Sequence, residues 1–178
     1  MPAPARQSRY DRLAAGRTAP AAVILAASAA TLGGALLFQY AGGLAPCVLC
    51  VYERAPYGVA MALALLAISL GDGRARGAVL ALAALAFLAD AGIGVFHVGV
   101  EQHWWEGTAA CTGSVVAGGV HSLEALRQQI LNAPVARCDR IPWSLFGISL
   151  AGYNVLIALA LAAFALDAAR RCWSRSRR

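Results

Sequence analysis

An all-α membrane protein, a four-transmembrane-helix bundle with a long loop between helices 3 and 4, is the fold this sequence predicts. Three observations predict it. Apolar residues make up 60% of the 178 and charged residues 13%, against about 25% charged in an ordinary soluble domain; too few polar side chains remain to cover a water-facing surface. The apolar residues gather into four stretches, near 18–40, 49–70, 78–100 and 143–169, and each has the roughly 20 residues a helix needs to cross about 30 Å of hydrocarbon. The cationic residues, all arginine, collect mostly in tails and turns. The same composition excludes a disordered chain. No long linker divides residues 1–178, so a single integral membrane domain is expected.

The first stretch carries no charge. It is longer than the 7–15-residue apolar region typical of a signal peptide, so an uncleaved span is expected. The second is charged only at Glu53 and Arg54, the third only at Asp90, and the fourth only near its end, at Asp167. Lipid cannot satisfy backbone polar groups, so such segments must be helices, and their alanine and leucine content favours that state. Asn154 in the fourth stretch reads as an interhelical hydrogen bonder. Trp104, Trp105 and Trp143 flank span ends and read as interface anchors. Between the third and fourth stretches, Ser122 precedes Leu123, Leu126, Ile130 and Leu131 at helical spacing, with Asn132 as a stop. This predicts a short amphipathic piece on the membrane surface or against the bundle. Gly113, Gly118 and Gly119 around it leave the loop free to move.

The net charge of +6 has a membrane explanation, and no nucleic-acid partner is expected. With four spans, Arg6, Arg9, Arg12, Arg17, Arg74, Arg76, Arg170, Arg171, Arg175, Arg177 and Arg178 fall on one side. The other side has no arginine in residues 41–48 and has Arg127, Arg137 and Arg140 in residues 101–142. Basic residues mark the cytoplasmic side. Both termini are therefore expected in the cytoplasm, with the 41–48 and 101–142 loops facing outward.

That orientation puts four of the five cysteines on the oxidising side, where disulfides persist: Cys47 and Cys50 at the mouth of the second span, Cys111 and Cys138 in the long loop. Cys172 falls on the cytoplasmic side. A Cys-Val-Leu-Cys run at a helix start is chemically particular. The first turn offers unpaired backbone N–H groups and a partial positive charge, which favour the reactive thiolate, and Pro46 suits helix entry. A zinc site would need a second CxxC, which Cys111 and Cys138 do not form, so no metal is expected. A purely structural bridge at Cys47–Cys50 closes too small a loop to constrain the unfolded chain. Redox work explains the pair better.

Residues 47, 50 and 54 share one helix face. Arg54 thus lies about one turn below Cys50 in the apolar zone, where a guanidinium needs a polar partner or a ligand. The Cys50 thiolate, a reduced quinone oxygen, or both would serve. Glu53, its neighbour in sequence, points elsewhere on the helix and is a poor partner. Asp90 and His97 lie near one face of the third span. His97, at a depth comparable to Arg54, reads either as a partner for a quinone carbonyl or a proton path, or as an interfacial histidine satisfied by water or backbone. Asp90, deeper, reads as a protonated or paired buried carboxyl.

The run from Phe38-Gln39-Tyr40 through Pro46-Cys47-Val48-Leu49-Cys50-Val51-Tyr52-Glu53-Arg54 resembles the bacterial DsbB family, the disulfide bond formation protein B. The resemblance covers nearly the whole chain: four spans, CxxC in the first outer loop and two cysteines in the second. It implies a thiol:quinone oxidoreductase of the bacterial inner (cytoplasmic) membrane. Such a protein reoxidises a DsbA-like periplasmic thioredoxin-fold oxidase and passes electrons to quinone, ubiquinone or menaquinone, in the lipid pool; the DsbA–DsbB–quinone route keeps the periplasm oxidising. By motif, Cys111 is attacked by the oxidase, Cys138 resolves the mixed disulfide and reduces Cys47, and Cys50 faces the quinone with Arg54 on the ring oxygen. His97 corresponds to a family histidine near the quinone. Pro56 departs from the family run and should kink the second span. Two other classes stay open: a vitamin-K-epoxide-reductase-like enzyme, which would carry its CxxC in a late helix, and a non-catalytic membrane scaffold with structural disulfides.

Overall fold

The computed structural model describes residues 4–71, 73–108, 111, 127 and 136–177. Helix α1 spans Pro4–Tyr40, α2 Val48–Tyr52, α3 Arg54–Ser69, α4 Arg74–Glu101 and α5 Leu150–Arg175, with a two-stranded ribbon, β1 Ser144–Leu145 and β2 Ile148–Ser149, just before α5. Four segments are long and apolar enough to cross a membrane: Thr18–Tyr40, Val48–Ser69, Arg74–Glu101 and Leu150–Arg175. Apart from Arg127, which is helical and exposed, the expected surface helix at 122–132 and the loop glycines Gly113, Gly118 and Gly119 lie outside the described residues.

Small residues let the helices approach closely, which in lipid replaces the hydrophobic drive to associate. Ala60, Ala64 and Ala67 form one face of α3 and have no exposed surface; Ala84 on α4 and Ala165 on α5 match them. Tyr57 and Phe87 fill the gap above in an edge-to-face pair, centroids 5.7 Å apart. Leu36, Leu37, Val59, Leu65 and Leu85 point outward, a surface that lipid accepts and water would not. The helices pack α1 on α3, α3 on α4 and α4 on α5; α1 and α5 touch far less, so the bundle is loosest along that seam.

Two local features position the site. The second span is broken at Glu53, between α2 and α3. Pro56 explains the break: it has no N–H for the carbonyl of Tyr52, and its ring crowds that carbonyl. Glu53 itself keeps a helical backbone (φ −62°, ψ −20°), so the interruption lies in the hydrogen bonding where a kink was expected. The fourth span begins at Leu150, not near 143, and runs to Arg175, beyond the expected 169. The stretch before it is a hairpin pairing Ser144 with Ser149 and Leu145 with Ile148. Its turn residues Phe146 and Gly147 both have positive φ, 51° and 78°, the turn that matches strand twist. Ser149 ends the hairpin and caps α5, its hydroxyl accepting from Gly152 N–H at 3.1 Å.

At the other end of the bundle, Arg76 is buried and donates to the carbonyls of Ala67 (2.8 Å) and Leu70 (2.6 Å). This arginine of the first turn of α4 thus satisfies the open C-terminal carbonyls of α3.

Candidate active site

Cys47 caps α2: its sulfur accepts from the Cys50 N–H at 3.2 Å. One turn of helix then brings the Cys50 sulfur to 2.6 Å from that of Cys47. The helix start expected at this CxxC is present, and its open N–H group is used on sulfur.

Both loop cysteines come to the same place. Cys111 and Cys138 are buried in one apolar cluster with Cys47, Leu49 and Val100. Cys138 N–H donates to the Cys111 carbonyl at 3.3 Å, and Thr108 hydroxyl donates to the Cys111 sulfur at 3.3 Å. Four cysteines thus line one buried row, Cys111 and Cys138 packed with Cys47, and Cys50 against Cys47. Burial and the Cys111 sulfur push the Cys138 thiol up to about 11. The hydrogen bond with the Cys50 sulfur, and then burial, raise the Cys47 thiol, so Cys47 keeps its proton.

His97 on α4 reaches this row. Its Nε2 is 3.4 Å from the Cys47 sulfur, and its Nδ1 is 2.8 Å from Glu53 Oε1. A carboxylate only accepts, so in the neutral ring Nδ1 carries the hydrogen and Nε2 presents its lone pair to Cys47. The ring is 3% exposed, so it is neither a water-satisfied nor a backbone-satisfied interfacial histidine. Glu53 was legible in the sequence only as a poor partner for Arg54; its true partner stands on another helix. Glu101 is also buried near the ring, its Oε1 4.0 Å from Nε2, and its Oε2 accepts from the Ser149 hydroxyl at 2.5 Å. Nothing in the sequence pattern singled out Glu101 or Ser149.

Arg54 takes the other side of the helix. Its guanidinium donates to Gln39 Oε1 at 2.7 Å, and its buried Nε has no partner among the described residues. A cavity of about 780 Å³ opens beside it along the α1–α5 seam, within the range of small-ligand sites. Cys50, Arg54, Gln39 and His97 line its polar end, and Leu32, Phe38 and Ile157 extend it with apolar surface. A groove of similar size, about 800 Å³, lies between the second span and α4. Tyr52, Pro56, Val59 and Phe96 line it with no cysteine, carboxylate, histidine or guanidinium, so the chemistry selects the first cavity.

Deeper in the bundle, Asn154 is the interhelical bonder expected of it. It accepts from Tyr57 hydroxyl at 2.7 Å and donates to Asp90 at 3.0 Å. Asp90 is fully buried, as read, with Oδ2 bonded to Asn154 and Oδ1 without a partner among the described residues. Two of the expected tryptophan anchors pack on span ends. Trp105 stacks on Phe96 with its indole N–H on the Phe96 carbonyl at 2.9 Å, and Trp143 packs on Phe38, centroids 5.4 Å apart.

A profile described as disulfide bond formation protein DsbB matches residues 17–168. The chain is similar to disulfide bond formation protein B of Aromatoleum aromaticum, 31% identical over 150 residues that cover 80% of this chain and 86% of the relative. It is also similar to an uncharacterized protein of Rickettsia prowazekii, 26% identical over 142 residues that cover 80% of this chain and 81% of the relative. No solved structure matches.

Proposed function

Because the chain belongs to the DsbB family of disulfide bond formation proteins, we propose that this multi-pass membrane protein is a thiol:quinone oxidoreductase of the bacterial inner membrane. In this reading it reoxidises a DsbA-like periplasmic oxidase. One observation carries it: the CxxC pair joins the loop cysteines to the Arg54 cavity. Cys47 is buried in one cluster with Cys111 and Cys138, and both Cys47 and Cys50 line the cavity beside Arg54.

The steps balance as two electrons and two protons throughout. The partner's dithiol reduces the Cys111–Cys138 disulfide, Cys111 forming the mixed disulfide and Cys138 leaving. The Cys111/Cys138 dithiol then reduces the Cys47–Cys50 disulfide: Cys138 attacks Cys47 as Cys50 leaves, and Cys111 then attacks Cys138 as Cys47 leaves. When the Cys47/Cys50 dithiol is oxidised again, His97 Nε2 stands where it can take the Cys47 proton, and Glu53 steadies the charged ring. A bound quinone supplies the two-electron, two-proton acceptor. The cavity fits such a molecule because its polar end holds a buried, unpartnered Arg54 Nε and its other end is apolar. Arg54 would hold a ring oxygen, Gln39 would hold Arg54, and the apolar seam would take a tail.

An external oxidant is required on energetic grounds. A DsbA-type partner has a potential near −120 mV, and ordinary structural disulfides lie below about −300 mV, so they cannot oxidise it. The test is turnover by purified protein in lipid discs with reduced oxidase and quinone. Quinone absorbance should fall in step with oxidase oxidation, and the fall should vanish in Cys47→Ser and Cys50→Ser. Oxidase oxidation that continues without quinone would overturn the proposal.

A further inference from the structure

We infer that the reduced protein has a second state, in which Cys47, Cys50 and His97 together hold one divalent cation of the zinc class. The sulfurs of Cys47 and Cys50 and a ring nitrogen of His97 all lie within 4.8 Å of one another. Tetrahedral zinc, with bonds of about 2.3 Å to sulfur and 2.0–2.1 Å to nitrogen, sets neighbouring ligands about 3.5–3.8 Å apart. The Cys47–His97 separation is already 3.4 Å. The 2.6 Å between the sulfurs must widen by about 1 Å for that geometry, a rotation of one side chain.

The surroundings favour the ion as much as the ligands do. His97 donates its other ring nitrogen to Glu53 at 2.8 Å, the carboxylate–histidine arrangement that orients a metal-bound imidazole and raises its basicity. Two thiolates and one divalent cation cancel in charge, which suits a buried site. A fourth sulfur is at hand, since Cys138 is buried in the same cluster as Cys47. The ligands come from two helices with one CxxC between them, so the spacing of cysteines along the chain does not reveal the set. Binding exchanges one cation for two thiol protons and moves no electrons. It needs the dithiol: a Cys47–Cys50 disulfide has no thiolate to offer. The ion and oxidation therefore compete for the same sulfurs, and a bound ion arrests thiol exchange at the reduced stage.

The experiment is an anaerobic titration of the reduced full chain in lipid discs with Cd²⁺, without quinone or partner, so its outcome is independent of turnover. The ultraviolet cadmium–thiolate band should saturate at one ion per chain, and Zn²⁺ should displace it. Binding should be lost when Cys47 and Cys50 are first joined as a disulfide and should survive in Cys111→Ser. It should weaken about 10–100-fold in Glu53→Gln, the range for loss of such an orienting partner, and further in His97→Ala, with circular dichroism confirming the helical fold of both. Unchanged affinity in His97→Ala, loss of the band in Cys111→Ser, or no saturable band in the reduced wild type would overturn the inference.

Discussion

At the scale of single residues, Arg54 and Cys138 make separable predictions. Arg54 has one donor on Gln39 and a buried Nε without a partner. A hydrogen bond from a charged group contributes about 1.5–3 kcal/mol, which is roughly 10–100-fold in affinity. Arg54→His is therefore expected to raise the quinone KM by about 10–100-fold while exchange between the loop cysteines and the partner proceeds as before. Gln39→Leu frees the guanidinium without removing it and should act in the same direction, more weakly. Steady-state kinetics with quinone and partner varied in turn separates the two effects.

Cys138 gives a pH signature. Its thiol is pushed up to about 11, by burial first and then by the Cys111 sulfur. Burial favours the neutral form, so this group's share of stability holds below the ordinary thiol pKa of about 8.5 and is lost as pH climbs through about 11. Alkylation of Cys138, followed by mass spectrometry, should accelerate with pH up to about 11 instead of levelling off near 8.5. Cys111→Ser should move the midpoint down, because it removes the second cause.

At the scale of elements, the break between α2 and α3 sets the relation of the two cysteines to Arg54. Pro56→Ala removes the cause of the break. The second span should then run on as one helix, turning Cys50 relative to Arg54. Membrane insertion should be retained and quinone reduction slowed at least tenfold, measured as single-turnover rates in the same discs. Gly94 tests the α4–α5 packing: a Cβ there would sit 2.7 Å from the stiff Val155 side chain. Gly94→Ala should destabilise by about 1–3 kcal/mol, the usual effect of overpacking, read as a lower unfolding temperature.

The elements also show what a linear reading can and cannot reach. Cys47, Cys50 and Arg54 were legible because their relation is local, three and four residues along one helix. His97 was legible as a polar residue at the right depth, but its bonds to Cys47 and Glu53 depend on how α4 is rotated against α2, which hydropathy does not encode. Gln39 was visible only as part of a family-like run, and its hold on Arg54 depends on the packing of α1. The start of the fourth span was misplaced because Trp143, Leu145, Phe146 and Ile148 keep the stretch apolar through a hairpin. Gly147, which takes a positive φ of 78°, marks the turn that the apolar run conceals.

At the scale of the whole molecule, topology and chemistry must agree. The arginine asymmetry predicts both termini in the cytoplasm, and the proposed function needs the four cysteines on the opposite, oxidising side. A membrane-impermeant maleimide applied outside intact inner-membrane spheroplasts should label the reduced loop cysteines and spare Cys172, which should react only after permeabilisation. Cys172→Ser should leave turnover intact. The loose α1–α5 seam leaves room for the cavity beside Cys50, which a tightly closed bundle would not have.

The most direct measurement mixes reduced protein with one equivalent of quinone under argon, without partner, followed by acid quench and alkylation. One quinol should form for each Cys47–Cys50 disulfide, and neither should form in Cys50→Ser. Quinone that stays oxidised while both thiols remain free, or quinol that still forms in Cys50→Ser, would contradict electron transfer from this pair.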